Sequence, residues 1–198
     1  MLPYPSAHFL KSCPTAKDLP AETGPEVAFS GRSNSGKSST LNRLCQQKGL
    51  AKVSKTPGRT QMINFFELSN GARLADLPGY GFAKVPEHER RRWQHLIDHY
   101  LTQRQTLAGL VIVMDARRPL LDYDWQMLRW CRETGLPAHI VLNKSDKLKR
   151  GILTKTLKKA QQEVNDYLSN ATVQTLSAMK GTGLEQLQQR LDEWLTEG

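Results

Sequence analysis

The chain has 198 residues, 38% of them hydrophobic, which is enough for one domain that buries its own core. Its 28 basic and 19 acidic residues give a net charge of +9, which favours polyanionic partners such as nucleic acid, unless the charge is spread evenly for solubility. Three widely spaced cysteines exclude a disulfide scaffold. No apolar run reaches the ~18 residues of a membrane span, and the first residues do not resemble a secretory signal. We therefore expect a cytoplasmic chain.

Residues 1–25 are predicted to form an irregular arm with at most one short strand. Strands are then predicted at 27–29, 63–68, 73–76, 110–115, 139–143 and 172–177. Helices are predicted at 37–46, 87–106, 125–133, 153–169 and 184–196. The dipeptide Asn70-Gly71 indicates a hairpin, and the alternation elsewhere indicates right-handed crossovers between parallel strands. We therefore predict a three-layer α/β domain over residues 26–198, with a six-stranded, mostly parallel sheet that contains one antiparallel strand.

Residues 31–38 read GRSNSGKS and fit the phosphate-loop pattern G-x-x-x-x-G-K-[ST] between a strand and a helix. Glycines let backbone N–H groups surround a phosphate, and the helix N-terminus adds a positive dipole. Lys37 can neutralise the β- and γ-phosphates, and the Ser38 hydroxyl can bind Mg²⁺. The alternative is a glycine-rich turn that matches by accident, but the strand–loop–helix context favours a nucleotide site.

A second polar segment, Asn143-Lys144-Ser145-Asp146, follows a predicted strand at the sheet edge where α/β proteins bind ligands. Asp146 can accept both the N1–H and the 2-amino group of guanine, a pair of contacts that adenine does not offer. The stem of Lys144 can cover the base, and Asn143 can tether the phosphate loop. Taken alone, the segment is more often an ordinary basic strand-to-helix loop, and it indicates guanine binding only beside the phosphate loop. A backbone amide of the later loop starting at Ser177 can donate to guanine O6.

Two segments are candidates for sensing the γ-phosphate. Asp76 ends a strand and can hold Mg²⁺ through water, and the N–H of Gly79 can contact the phosphate, although a Pro-Gly turn at a strand end is common. Thr60, directly before the next strand, can place its hydroxyl on Mg²⁺, with Thr56 as its rival. Loss of the phosphate would release this loop, which predicts an order-to-disorder switch.

The ordered set GRSNSGKS, Thr60, DLPG, NKSD and SAMK resembles the guanine-nucleotide-binding domain of small GTPases. With TPGRTQ, INFF, DLPGYG and MDARRPL, about residues 20–198 resemble more narrowly the EngB (YihA) family, within the TrmE-Era-EngA-EngB-septin-like superfamily of P-loop GTPases. The resemblance implies a Ras-like fold, Mg²⁺-dependent GTP binding and hydrolysis, a cytoplasmic location, a role in 50S subunit maturation, and a link to cell division and septum formation.

The predicted catalytic residues are Asn34, Lys37, Thr60 and Gly79, and the predicted metal ligands are Ser38, Thr60 and, through water, Asp76. The predicted contacts to GTP or GDP are Gly31, Arg32, Ser33, Asn34, Ser35, Gly36, Lys37, Ser38, Ser39, Gly58, Arg59, Thr60, Gln61, Met62, Asp76, Leu77, Pro78, Gly79, Asn143, Lys144, Ser145, Asp146, Leu176, Ser177 and Ala178.

Tyr80 stands where Ras-type enzymes carry the glutamine that orients the attacking water. We therefore expect slow intrinsic hydrolysis that a partner, K⁺ or both accelerate. Asn34 resembles the asparagine that binds K⁺ in TrmE, where the cation replaces an arginine finger, and Gln61 is a lesser candidate for a catalytic role.

Basic residues cluster in three places, which favours an RNA-bearing partner over a solvated surface. Residues 143–160 contain seven Lys or Arg and one acid, or +6 of the net +9, and smaller clusters lie at residues 90–92 and 117–118. Together with the resemblance, this makes the large ribosomal subunit or its precursor the expected partner, bound through rRNA or a ribosomal protein. We expect the protein itself to be a monomer.

Three alternatives remain open on the residues alone. An ATP-using P-loop enzyme would not explain the segment from Asn143 to Asp146. An RNA-binding module that uses GTP only as a ligand, with little hydrolysis, is compatible with Tyr80. A septin- or dynamin-like membrane GTPase would need a long helical extension or an amphipathic membrane helix, which this chain lacks, so we expect no stable membrane association.

Overall fold

The structure, a computed structural model, describes residues 1–52, 61–79 and 85–196. The strands are β1 (His8–Cys13), β2 (Glu26–Gly31), β3 (Ile63–Glu67), β4 (Arg73–Asp76), β5 (Leu107–Asp115), β6 (Ala138–Asn143) and β7 (Thr172–Thr175). The helices are α1 (Lys37–Leu44), α2 (Glu87–Gln103), α3 (Asp122–Thr134), α4 (Arg150–Tyr167) and α5 (Leu184–Thr196).

The strands form one sheet in the order β1-β3-β4-β2-β5-β6-β7. Strand β3 runs against both of its neighbours, and every other pair is parallel. The β3–β4 hairpin turns at Gly71, whose φ of +85° is open to glycine, and the Asn70 side chain accepts the N–H of Ala72 at 3.2 Å. The predicted Ras-like α/β fold with one antiparallel strand is confirmed.

The prediction of six strands is wrong by one, because residues 1–25 contribute strand β1 to the sheet edge. Its first four residues are exposed, including Phe9 at 56%, so the segment lacks the apolar alternation that marks a half-buried strand. Backbone pairing with β3 holds it instead, beside an edge-to-face contact between Phe9 and Phe66. Before this strand, the buried Tyr4 hydroxyl donates to Asp192 of α5 at 2.8 Å.

Two hydrophobic cores lie on opposite faces of the sheet. Helices α2, α3 and α4 cover one face, and α1 and α5 cover the other. Leu187, Leu191 and Leu195 of α5 are buried against the second face, as their spacing of four residues predicts. Strand β2 is buried along its whole length, which is typical of a parallel strand covered on both sides. In the parts of the chain that the structure describes, none of the helices has the length and apolar character needed to cross a membrane.

Helix ends differ from the predictions by a few residues, for reasons of capping and pairing. Helix α2 ends at Gln103 because Arg104 turns to extended backbone and its guanidinium binds the buried Glu26 carboxylate at 2.6 Å. Helix α3 begins at Asp122, three residues early, because Asp124 accepts the N–H of Leu121 at 2.9 Å. These shifts leave the predicted loops at the carboxyl edge of the sheet.

Candidate nucleotide-binding site

The phosphate loop leaves β2 at Gly31 and enters α1 at Lys37. Gly36 has a φ of +91°, and a Cβ there would collide with the side-chain amide of Asn143. A Cβ on Gly31 would lie 2.8 Å from the carbonyl oxygen of Val113, so this glycine lets the loop pass close to β5. Inside the loop, the N–H of Ser35 donates to the carbonyl of Arg32 at 3.0 Å. Both glycines are therefore required by the packing of the loop against its neighbours.

Lys37 lies at the end of β4, where its ammonium contacts Asp76 Oδ1 and the carbonyl oxygen of Leu77. The Leu77 N–H donates to the Phe29 carbonyl at 2.9 Å, which holds residues 76–79 beside β2. The lysine is thus brought to the predicted γ-phosphate segment, as the sequence indicates. A phosphate in the loop would compete with these two oxygens for the ammonium.

The donors available for a divalent cation are hard oxygens, which suit Mg²⁺. The Ser38 hydroxyl donates to the Lys52 carbonyl at 3.3 Å, and Asp76 pairs with Lys37, so both would exchange their partners for the ion. Thr60, the third predicted ligand, lies outside the described residues, as do Gly58 and Arg59. The residue chemistry of Ser38 and Asp76 fits the ion.

Asn143 joins the phosphate loop to the last loop of the sheet. Its side-chain N–H donates to the Ser35 carbonyl at 3.1 Å, and its side-chain oxygen accepts the N–H of Ala178 at the same distance of 3.1 Å. All three residues are buried. This is the tether that the sequence predicts, and it holds loops from three strands in one place.

Lys144 reaches over the phosphate loop, and an acid that the sequence analysis does not assign helps to hold it there. The Lys144 ammonium donates to the Asn34 carbonyl at 2.6 Å and lies 3.4 Å from Asp115 Oδ2. Asp115 also binds the Arg117 guanidinium at 2.7 and 3.0 Å, and this hydrogen bonding holds the pKa of the Asp115 carboxyl well below its usual range. Asp115 pairs in register with Asn143. The sequence feature that could have identified it as a site residue is its place at the end of the strand next to the one that ends in Asn143.

Asp146 is the predicted contact to the guanine base and lies in the loop after β6. The Ser177 hydroxyl donates to its Oδ1 at 2.7 Å, and this hydrogen bond lowers the pKa of the Asp146 carboxyl, which stays ionised and able to accept guanine N–H groups. The backbone N–H of Ser177 donates to the Thr182 carbonyl and that of Ala178 to the Asn143 side-chain oxygen. A guanine O6 that contacts either of these two N–H groups would share a donor that is already engaged.

Most predicted site residues lie in loops at one edge of the sheet, at the ends of β2, β4, β6 and β7. Among the others, Ser39 is exposed on α1, Asn34 is exposed with a φ of +65°, and Gln61 and Met62 are half-buried just before β3. The remaining members of this edge are Arg32, Ser33, Pro78, Gly79, Ser145 and Leu176.

Comparison with known proteins gives consistent results. Residues 26–144 match a protein family described as 50S ribosome-binding GTPase. The chain is 53% identical over 192 residues to the probable GTP-binding protein EngB of Nitrosococcus oceani, covering 97% of this chain and 96% of that one. It is 48% identical to the protein of the same name from Escherichia coli K12, covering 99% and 93%. A crystal structure of a probable GTP-binding protein EngB superposes with a TM-score of 0.70 at 25% identity, covering 87% of this chain and all of that one.

Proposed function

This chain belongs to the EngB family of P-loop GTPases, and from that premise we propose that its hydrolysis of GTP serves assembly of the large ribosomal subunit. The observation that carries the proposal is the match of residues 26–144 to a family described as 50S ribosome-binding. The exposed basic clusters on this chain support it, because rRNA is a polyanion. The chain acts as a monomer in the cytoplasm.

Each loop at the carboxyl edge of the sheet has a separate role in binding GTP. Lys37 leaves Asp76 and binds the β- and γ-phosphates, while backbone N–H groups of the phosphate loop surround them. Ser38 and Asp76 would hold Mg²⁺, which would neutralise part of the phosphate charge when bound. Asp146 selects guanine, and Lys144 covers the base from its place on the Asn34 carbonyl. The N–H of Gly79 senses the γ-phosphate.

The catalytic step is slow until K⁺ or a partner assists it. Tyr80, outside the described residues, replaces the water-orienting glutamine of Ras-type enzymes. The exposed Asn34 would hold K⁺, whose charge would stabilise the transition state in place of an arginine finger. We expect multiple-turnover hydrolysis to run several-fold faster in KCl than in NaCl at equal ionic strength. Equal rates in the two salts would contradict the K⁺ role and leave a partner as the activator.

The experiment that tests the proposal is co-sedimentation with purified large ribosomal subunits. Binding is measured with GDP, with a non-hydrolysable GTP analogue and without nucleotide, over a salt series. We expect binding to be tightest in the GTP form and to weaken with salt. Equal binding in all three states would show a constitutive RNA binder, and no binding at all, with GTP affinity intact, would refute the ribosomal role.

The basic cluster at residues 90–92 is the element that makes binding depend on GTP. It lies within the first two turns of α2, which begins at Glu87, and all three arginines are exposed, with Arg91 paired to Glu87 at 2.6 Å. Replacing the three arginines by alanine should weaken subunit binding in the GTP state and leave GTP affinity unchanged. If GTP affinity falls equally, the cluster belongs to the nucleotide site instead.

From the family resemblance we also propose a link to cell division and septum formation. Depletion of the protein in its own cells should produce accumulated large-subunit precursors first and longer cells afterwards. Longer cells with normal subunit profiles would indicate that division is the direct target.

A further inference from the structure

We propose that one helical surface of this protein binds the phosphate backbone of RNA whether GTP or GDP occupies the site. We call it the α4 surface, and it consists of the exposed side chains Lys147, Lys149, Arg150, Lys155, Lys158 and Lys159. The inference rests on the proposed function for the identity of the RNA, but its chemistry is argued from the surface itself.

The α4 surface carries most of the net positive charge of the chain. Residues 147–160 contain its six cations and no acid, so they carry six of the nine net positive charges. Among the ion pairs that the structure describes here, Lys159 pairs with Glu163 at 3.7 Å, and both side chains are exposed. A charge spread for solubility would intersperse both signs. The α4 surface is instead free to take up anions.

The charge is also placed where it opposes the stability of α4. Lys149 is the N-cap and Arg150 the first residue, at the end of the helix that carries the positive dipole. Helices α2, α3 and α5 carry acids in their first turn, but α1 and α4 do not. Helix α1 begins at the phosphate loop, where a bound phosphate would supply the negative charge, so α4 is the helix whose basic first turn needs another explanation. The cations of α4 extend along the helix as far as Lys159, on the order of 14 Å from Arg150. A surface of this length can contact several successive phosphates of a nucleic acid.

A nucleic acid fits this surface better than a membrane. Lysine is a flexible point charge that contacts phosphates without reading sequence. Binding to a lipid surface needs a row of exposed apolar side chains beside the charges. Among the described residues of α4, the large exposed hydrophobic side chain is Ile152, at 52%. Electrostatic contact with a phosphate backbone therefore accounts for the surface.

The position of the α4 surface explains why its RNA binding should not depend on the γ-phosphate. Lys147 follows Asp146 directly, and with Lys180 it acts electrostatically on that carboxylate, the predicted contact to the guanine base. Helix α4 packs on β7 at the far edge of the sheet, whereas the γ-phosphate segment follows β4 on the other side of β2. Guanine is present in GDP and GTP alike. The α4 surface therefore supplies docking that does not change with the nucleotide, and residues 90–92 add the GTP dependence.

The test compares two triple variants of equal charge. The first is Lys155→Ala, Lys158→Ala and Lys159→Ala on the α4 surface. The matched control replaces three exposed lysines elsewhere, and its substitutions are Lys11→Ala, Lys17→Ala and Lys48→Ala. Affinity is measured for large ribosomal subunits, for deproteinised rRNA and for vesicles with anionic lipid, with GDP and with a GTP analogue. All six side chains are exposed, so both variants should fold and bind GDP within twofold of wild type.

We expect the α4 variant to bind subunits and rRNA at least tenfold more weakly in both nucleotide states. The slope of log K against log salt should fall by about two to three, since each lost phosphate contact reduces it by about one. The control should stay within threefold. An α4 variant that matches the control, or that loses affinity only with the GTP analogue, would overturn the inference, as would a loss confined to vesicles. If wild type binds rRNA through this surface but not subunits, the ribosomal proposal fails and the surface stands.

Discussion

Replacing Asn143 by alanine tests the central connection of the site. The side chain makes two hydrogen bonds of 3.1 Å, to the Ser35 carbonyl and from the Ala178 N–H. These residues are 3% and 9% exposed, so truncation leaves two buried polar groups without their partner. Each such group costs about 1–3 kcal/mol, which gives a loss of about 2–6 kcal/mol in the free energy of unfolding. That is a large part of the stability of an ordinary domain, about 5–15 kcal/mol.

The assay is urea unfolding without nucleotide, followed by titration with a fluorescent GDP analogue. Asn143→Ala should unfold at a lower midpoint with an unchanged slope, and it should bind GDP more weakly because the phosphate loop and the Ala178 loop are no longer aligned. The control Asn165→Ala, at an exposed position of α4, should stay within about 0.5 kcal/mol of wild type. An Asn143→Ala protein of wild-type stability that loses only GDP affinity would refute the tether and leave a direct contact with the nucleotide.

Three further predictions concern single residues. Asp115→Asn should speed the release of labelled GDP several-fold in stopped-flow measurements by loosening Lys144, whereas Asp122→Asn, exposed in α3, should not. His139 is buried and its pKa is lowered to about 4 from 6.5, so the unfolded state takes up a proton first as pH falls. Stability should therefore fall by up to about 3 kcal/mol between pH 6.5 and 4 in urea unfolding, and His139→Gln should flatten that part of the profile if this residue causes it. Gly36→Ala should abolish binding in the fluorescent GDP titration. Its φ of +91° costs alanine about 1–3 kcal/mol, and the added Cβ would displace the buried side-chain amide of Asn143. Retained GDP affinity would contradict both the backbone strain and the steric clash.

The parts of this protein that sequence alone determines are those whose physics is local. The phosphate loop needs its two glycines and the following lysine within eight residues, so its pattern is visible without a fold. The β3–β4 hairpin follows from Asn70-Gly71, and the buried face of α5 follows from leucines one turn apart. Polar segments after predicted strands also place Asn143 and Asp76 at one edge of the sheet, because the carboxyl ends of parallel strands meet there.

The tertiary structure decides what depends on partners far apart in the chain. Strand β1 shows no apolar alternation and exists because β3, about fifty residues later, offers its edge for backbone pairing. The end of α2 is decided by Arg104, which leaves the helix for a buried carboxylate 78 residues earlier. Asp115 acquires its role only when the register of β5 and β6 sets it beside Asn143. In each case the outcome depends on a pairing that no short window of sequence contains, because folding brings the partner from elsewhere in the chain.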